Sequence, residues 1–187
     1  MKKTLLAAAL LASVFVLPSC GNDENASNKM AEDQNEQKFD STDMKRDAEF
    51  AMKAASGGMM EVELGNMAAM NGVSPQVKEF GKNMVADHSK ANEELKSAAA
   101  AKNITLPSVP DADMQKKIDD MKKKTGADFD KAYVDMMVSD HKDDIDLFQK
   151  EADKGNDPEL KAWAAGKVPV LQHHLMMIED IQKAMKN

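Results

Sequence analysis

Three of the chain's four histidines, His88, His141 and His174, each stand in a helical stretch among apolar residues at spacings of three and four. Residues so spaced share one helix face. The stripes are Val77, Gly81, Met84, His88, Ala91, Leu95; then Val134, Met137 or Val138, His141, Ile145, Phe148; then Leu160, Ala164, Leu171, His174, Ile178, Ile181. A fourth stripe, Phe50, Ala54, Gly57, Glu61, Leu64, Ala68, has one acid and no histidine. Glu61, His88, His141 and His174 therefore point inward near the middle of four helices, where they fall at one level whichever way each helix runs. His173 is turned about 100° from its neighbour, and Glu63 faces elsewhere unless its helix is rotated.

Three neutral imidazoles and a carboxylate suit a transition metal, Fe, Zn, Cu or Mn, on ligand type. Buried without partners, such groups would cost roughly 1–3 kcal/mol for each unmet hydrogen bond. A shared cation offsets that cost, and so does a metal-free layer in which the groups bond to one another. Asp87 and Asp140, each preceding a histidine, are expected as extra ligands or as acceptors that orient the rings. Glu63 and His173 are the outermost candidates. His88 and His141 close a repeated pentapeptide, Met84-Val85-Ala86-Asp87-His88 and Met137-Val138-Ser139-Asp140-His141. The 16 methionines are spaced as core filler, a use that suits their flexible side chain. Acidic runs such as Asp143-Asp144 read as solvated faces.

The elements that must position these residues are marked by punctuation. Helical residues dominate and strand-type runs are missing, so the fold class is all-α. A first helix runs from about Asp47 to Asn71 and stops at Gly72. A second opens with Ser74 as N-cap and Pro75 in the first turn and reaches about Lys102. A third covers about Ala127 to Lys154 and stops at Gly155. The fourth opens with Asp157-Pro158 and runs nearly to the C-terminus. Between the second and third lie two Pro-containing turns and a short amphipathic helix over Asp111–Lys124. Tight turns make antiparallel hairpins of the first and last pairs. The long middle connection can run the length of the bundle and leave the second and third helices parallel, as in a ferritin-like four-helix bundle. A wider up-and-down bundle with a decorated loop is the alternative.

The N-terminus sets an expected address. Lys2-Lys3, an apolar run too short to span a bilayer, and Leu17-Pro18-Ser19-Cys20 read as a secretory leader over residues 1–19. The Leu-x-Ser-Cys sequence resembles a bacterial lipobox, which implies cleavage before Cys20 and its lipidation. Gly21 follows, so an aspartate that would resemble an inner-membrane retention signal is absent. The expected location is the cell envelope, as an outer-membrane lipoprotein facing either the periplasm or the surface, with the membrane as partner through Cys20. Residues 20–46 are polar and charged and are expected to be a disordered tether, leaving 47–187 as the bundle domain.

A net charge of −7, more negative still without the leader's two lysines, excludes nucleic acid as a partner, because phosphate binding needs clustered Lys and Arg. The single cysteine excludes an internal disulfide framework. A homodimer is compatible with the sequence, which names no protein partner.

Gly58-Met59-Met60-Glu61-Val62-Glu63-Leu64-Gly65, the two Met-Val-x-Asp-His motifs, Phe129-Asp130-x-x-Tyr133 and Val168-Pro169 with His174-Leu175 resemble the bacterial domain-of-unknown-function 4142 family over about Asp47–Lys183. The resemblance implies a ferritin-like fold and an envelope location, and no established activity. Ferritin-like di-iron proteins carry Glu-x-x-His on two helices. Here the residues three before His88, His141 and His174 are Val85, Val138 and Leu171. That departure favours metal sequestration or stress protection over catalysis. A metal-free structural or interaction module is the second reading and a metal-dependent oxidase the third.

Overall fold

The computed structural model of the chain describes residues 23–40 and 43–186. The leader, Cys20 and the expected lipidation site lie outside them. The described residues form six helices: α1 (Asp23–Phe39), α2 (Met44–Asn71), α3 (Pro75–Ala101), α4 (Ala112–Lys122), α5 (Gly126–Lys154) and α6 (Pro158–Met185). None is long and apolar enough to cross a membrane. The four long helices are those expected, with α2 beginning about a turn earlier than Asp47.

The bundle is two antiparallel hairpins, α2–α3 and α5–α6, with α2 also packed on α5 and α3 on α6. Within the first hairpin Gly65 and Gly81 let the helices approach closely. A Cβ added at Gly81 would lie 2.6 Å from the Gly65 carbonyl oxygen, so no larger residue fits without separating α2 from α3. The core runs as two apolar clusters. Met60, Leu64, Phe80, Met84, Tyr133 and Met137 belong to one, and Phe50, Leu95, Phe148, Leu160 and Leu171 to the other.

Two buried carboxylates tie the hairpins together at opposite ends. Asp47, at the start of α2, accepts the backbone N–H groups of Asn156 at 2.9 Å and Asp157 at 2.6 Å in the α5–α6 turn. Asp130, at the start of α5, accepts those of Val73 at 3.0 Å and Ser74 at 2.7 Å in the α2–α3 turn. Helices α2 and α5 are therefore antiparallel, and α3 runs parallel to α5, the ferritin-like arrangement. The register that places Asp47 on Asp130 also places Phe50 on Tyr133, Glu61 on Asp144, Gly72 on Gly155, Ser74 on Asp157 and Pro75 on Pro158. The two hairpins are thus related position by position.

The connection between them leaves α3 through Asn103, whose φ of 58° is left-handed, a conformation asparagine tolerates better than most residues. It then carries α4, whose N-cap Asp111 accepts the N–H groups of Asp113 and Met114.

The expected tether is corrected. Residues 23–39 form α1, which lies against this connection. Asn35 pairs with Thr105 in both directions, donating to its carbonyl at 2.7 Å and accepting its N–H at 2.8 Å. Asn28 donates to the carbonyls of Val109 and Pro110, and Ser27 accepts the N–H of Ser108 at 2.9 Å. A composition too polar to bury apolar area was read as unable to fold. Instead its amides and hydroxyls satisfy the backbone of an irregular segment, whose polar groups need partners wherever water is excluded.

Candidate metal centre

Helices α2, α3, α5 and α6 bring Glu61, His88, His141 and His174 to one layer at mid-bundle, all at most 7% exposed. The imidazoles form a triangle, with ring centroids 5.9 Å apart for His88–His141, 5.4 Å for His88–His174 and 5.5 Å for His141–His174. One ring nitrogen from each lies within 4.8 Å of the others. Phe80 packs against the His141 and His174 rings.

Each ring has one nitrogen committed. His141 Nδ1 donates to the Met137 carbonyl at 3.0 Å, the residue one turn earlier on its own helix. His174 Nε2 donates to Asp87 Oδ2 at 2.9 Å. His88 Nδ1 meets Glu61 Oε2 at 2.7 Å. The remaining nitrogens, His88 Nε2, His141 Nε2 and His174 Nδ1, are buried with no hydrogen-bond partner, and so is Glu61 Oε1, 3.9 Å from His141 Nε2.

Burial pushes the pKa of all three imidazoles down, His141 to about 3, where the other two rings add to the effect. The rings are therefore neutral at pH 7, with each N–H turned to an acceptor and each lone pair turned inward. A ring that donates one N–H to a carboxylate or carbonyl and presents its other nitrogen bare is arranged as metal-ligating histidines are.

A second group of donors adjoins the triangle. One carboxylate oxygen from each of Glu61, Asp140 and Asp144 lies within 4.8 Å of the others. Burial, then the charge of Asp140, holds Glu61 well above the usual carboxylate range, opposed by hydrogen bonding to Asp144 and by Lys117. Burial, then Glu61 and Asp140, raises Asp144 likewise. Lys117, on α4, reaches Asp140 Oδ1 at 2.8 Å. A cleft of ≈250 Å3, lined in part by Lys53, Gly57, Lys117, Asp140 and Asp144, opens onto Asp140 and Asp144.

The other expected residues are placed as follows. Asp87 orients a ring, but that of His174 across the bundle and not its neighbour His88. Asp140 touches no imidazole and faces Lys117. His173 is exposed, and Glu63 pairs with Lys122 at 2.9 Å, away from the layer. Asp144, read as part of a solvated face, is half-buried beside Glu61. Its place three residues after His141 on the same face was the signal for it. The Met-Val-x-Asp-His repeat does not follow the hairpin register, which pairs His88 with Leu171 and His141 with Gly58.

Comparison with curated proteins and with solved structures finds no match. A family model described as a domain of unknown function matches residues 29–181, a span that takes in most of α1 as well as the bundle. On that match the chain belongs to the DUF4142 family.

Proposed function

We propose that this is a lipid-anchored protein of the cell envelope that binds one transition-metal ion at mid-bundle. The donors are the bare nitrogens of His88, His141 and His174 together with Glu61. The supporting observation is the imidazole triangle, one ring nitrogen of each within 4.8 Å of the others, with one nitrogen on each ring and the neighbouring Glu61 Oε1 buried without a hydrogen-bond partner. Three neutral lone pairs facing one another, with no proton between them, are costly to bury, and a cation turns that cost into binding. Iron, zinc, copper and manganese all accept such a set. Sequestration or protection against metal stress fits it better than turnover, since the Glu-x-x-His pattern of ferritin-like di-iron proteins is absent, with Val85, Val138 and Leu171 three residues before the histidines. Cys20 in its lipobox would supply the anchor, and the outer membrane the address.

The test is the metal content of the purified chain and its melting temperature with and without chelator. About one equivalent of metal, and a melting temperature that falls on chelation and returns on readdition, are expected. A chain without metal that gains no stability from Fe, Zn, Cu or Mn, and is unaffected by joint His88→Ala, His141→Ala and His174→Ala substitution, would instead be the metal-free module.

A further inference from the structure

We infer that the centre takes a second cation, a hard divalent ion held by Glu61, Asp140 and Asp144 beside the transition-metal ion of the imidazole triangle. The inference rests on the reading above, because Glu61 belongs to both donor groups.

Charge is the first ground. Three carboxylates face one another across less than 5 Å, and among the described residues the ammonium paired with them is that of Lys117, bound to Asp140 alone, while Lys53 lines the cleft without an ion pair to them. Glu61 is 2% exposed, and its Oε1 has no hydrogen-bond partner. The ammonium therefore does not reach Glu61, whose Oε2 meets His88 Nδ1 and whose Oε1 is left without a partner.

Space and symmetry agree. Gly57, facing Asp144 from α2, has no side chain, and a Cβ there would still stand 4.0 Å from Asp144 Oδ1. The cleft gives a hydrated ion a path and room to keep some of its waters. The hairpin register puts Asp144 in the second hairpin where Glu61 stands in the first, so each hairpin contributes one carboxylate across the bundle. An all-oxygen set suits Mn2+, Mg2+ or Ca2+, in contrast to the imidazole set next to it.

Lys117 is then a tethered competitor for the same oxygens, and this makes the inference testable. The full chain is stripped of metal, loaded with one equivalent of Zn2+, and titrated with Mn2+. Bound ion is followed by calorimetry and by loss of the free Mn2+ resonance signal. The Zn-loaded wild type should take up one Mn2+. Asp144→Asn should weaken that step at least tenfold while retaining Zn2+. Lys117→Gln should tighten it severalfold, a gain that damage to the fold would not give.

If the Zn-loaded protein takes no Mn2+, the second ion is refuted and the imidazole site stands. The same holds if both variants, folded by circular dichroism, bind Mn2+ as the wild type does. If the wild type binds neither ion, both readings fall.

Discussion

Glu61 Oε2 and His88 Nδ1 lie 2.7 Å apart, so a residue on α2 sets which nitrogen His88 turns toward its neighbours. Asp87 does the same for His174 from α3, at 2.9 Å. The triangle is therefore oriented by acceptors on adjacent helices, and its geometry depends on how the helices are packed as well as on the ligands.

Asp87 is half exposed and offers no atom to the triangle, yet Asp87→Ala should weaken metal binding about 10–100-fold by releasing the His174 ring. Chelator competition measures this. Unchanged affinity would show that Asp87 does not orient the ring. Stability of the metal-free protein should fall by roughly 1–3 kcal/mol, because the buried Nε2–H of His174 loses its acceptor.

Gly81→Ala should destabilise the fold by about 1–3 kcal/mol through overpacking at the Gly65 carbonyl. It should also lower metal affinity, because Glu61 and His88 ride on the two helices it separates. Denaturant unfolding with parallel metal titration checks both, and an unchanged midpoint would mean that the α2–α3 contact is loose.

Asp47→Ala and Asp130→Ala each leave two backbone N–H groups of a turn without their carboxylate. Each should cost roughly 2–4 kcal/mol, since hydrogen bonds to charged acceptors are worth about 1.5–3 kcal/mol apiece. Being at opposite ends of the bundle, the two losses should add to within about 0.5 kcal/mol. Marked non-additivity in the double variant would contradict the picture of two separate ties.

Glu151 supplies a pH dependence away from the centre. Burial, then the charge of Asp47, pushes its pKa up to about 7, and its Oε1 has no partner. A carboxyl raised in the folded state contributes stability at low pH that is lost as pH rises through that value. Glu151→Gln should therefore raise stability by about 1–3 kcal/mol at pH 8, with the gain gone by pH 4. Thermal melts at the two pH values decide it, and a gain of equal size at both would assign the effect to packing.

How far the sequence could be read differs from residue to residue. Gly72, Ser74-Pro75, Gly155 and Asp157-Pro158 mark helix ends by local backbone chemistry, and those ends stand where expected. The inward histidines were legible because a polar residue interrupting an apolar stripe is conspicuous. Asp144 was not legible, because a carboxyl beside other acids looks the same facing water or a cleft. Helix α1 was missed for a different reason. Periodicity detects apolar burial, whereas Asn35 and Asn28 hold α1 by bonds to a backbone distant in sequence. The repeated pentapeptide drew attention to two of the inward histidines, and it is a local likeness of α3 and α5 that the hairpin register does not follow.

The reciprocal ties of Asp47 and Asp130 mean that neither hairpin satisfies its own turn. Each carries the acceptor that the other needs, and either could find it on a second molecule. Were the connection after α3 to swing outward, two chains could exchange hairpins without losing one of these bonds, and the product would be a domain-swapped dimer. Helix α1 is bonded along that connection through Asn28 and Asn35. If those bonds keep the connection in place, Asn35→Ala should increase a concentration-dependent, hairpin-exchanged dimer in sedimentation, and an unchanged profile would show that α1 has no part in that exchange.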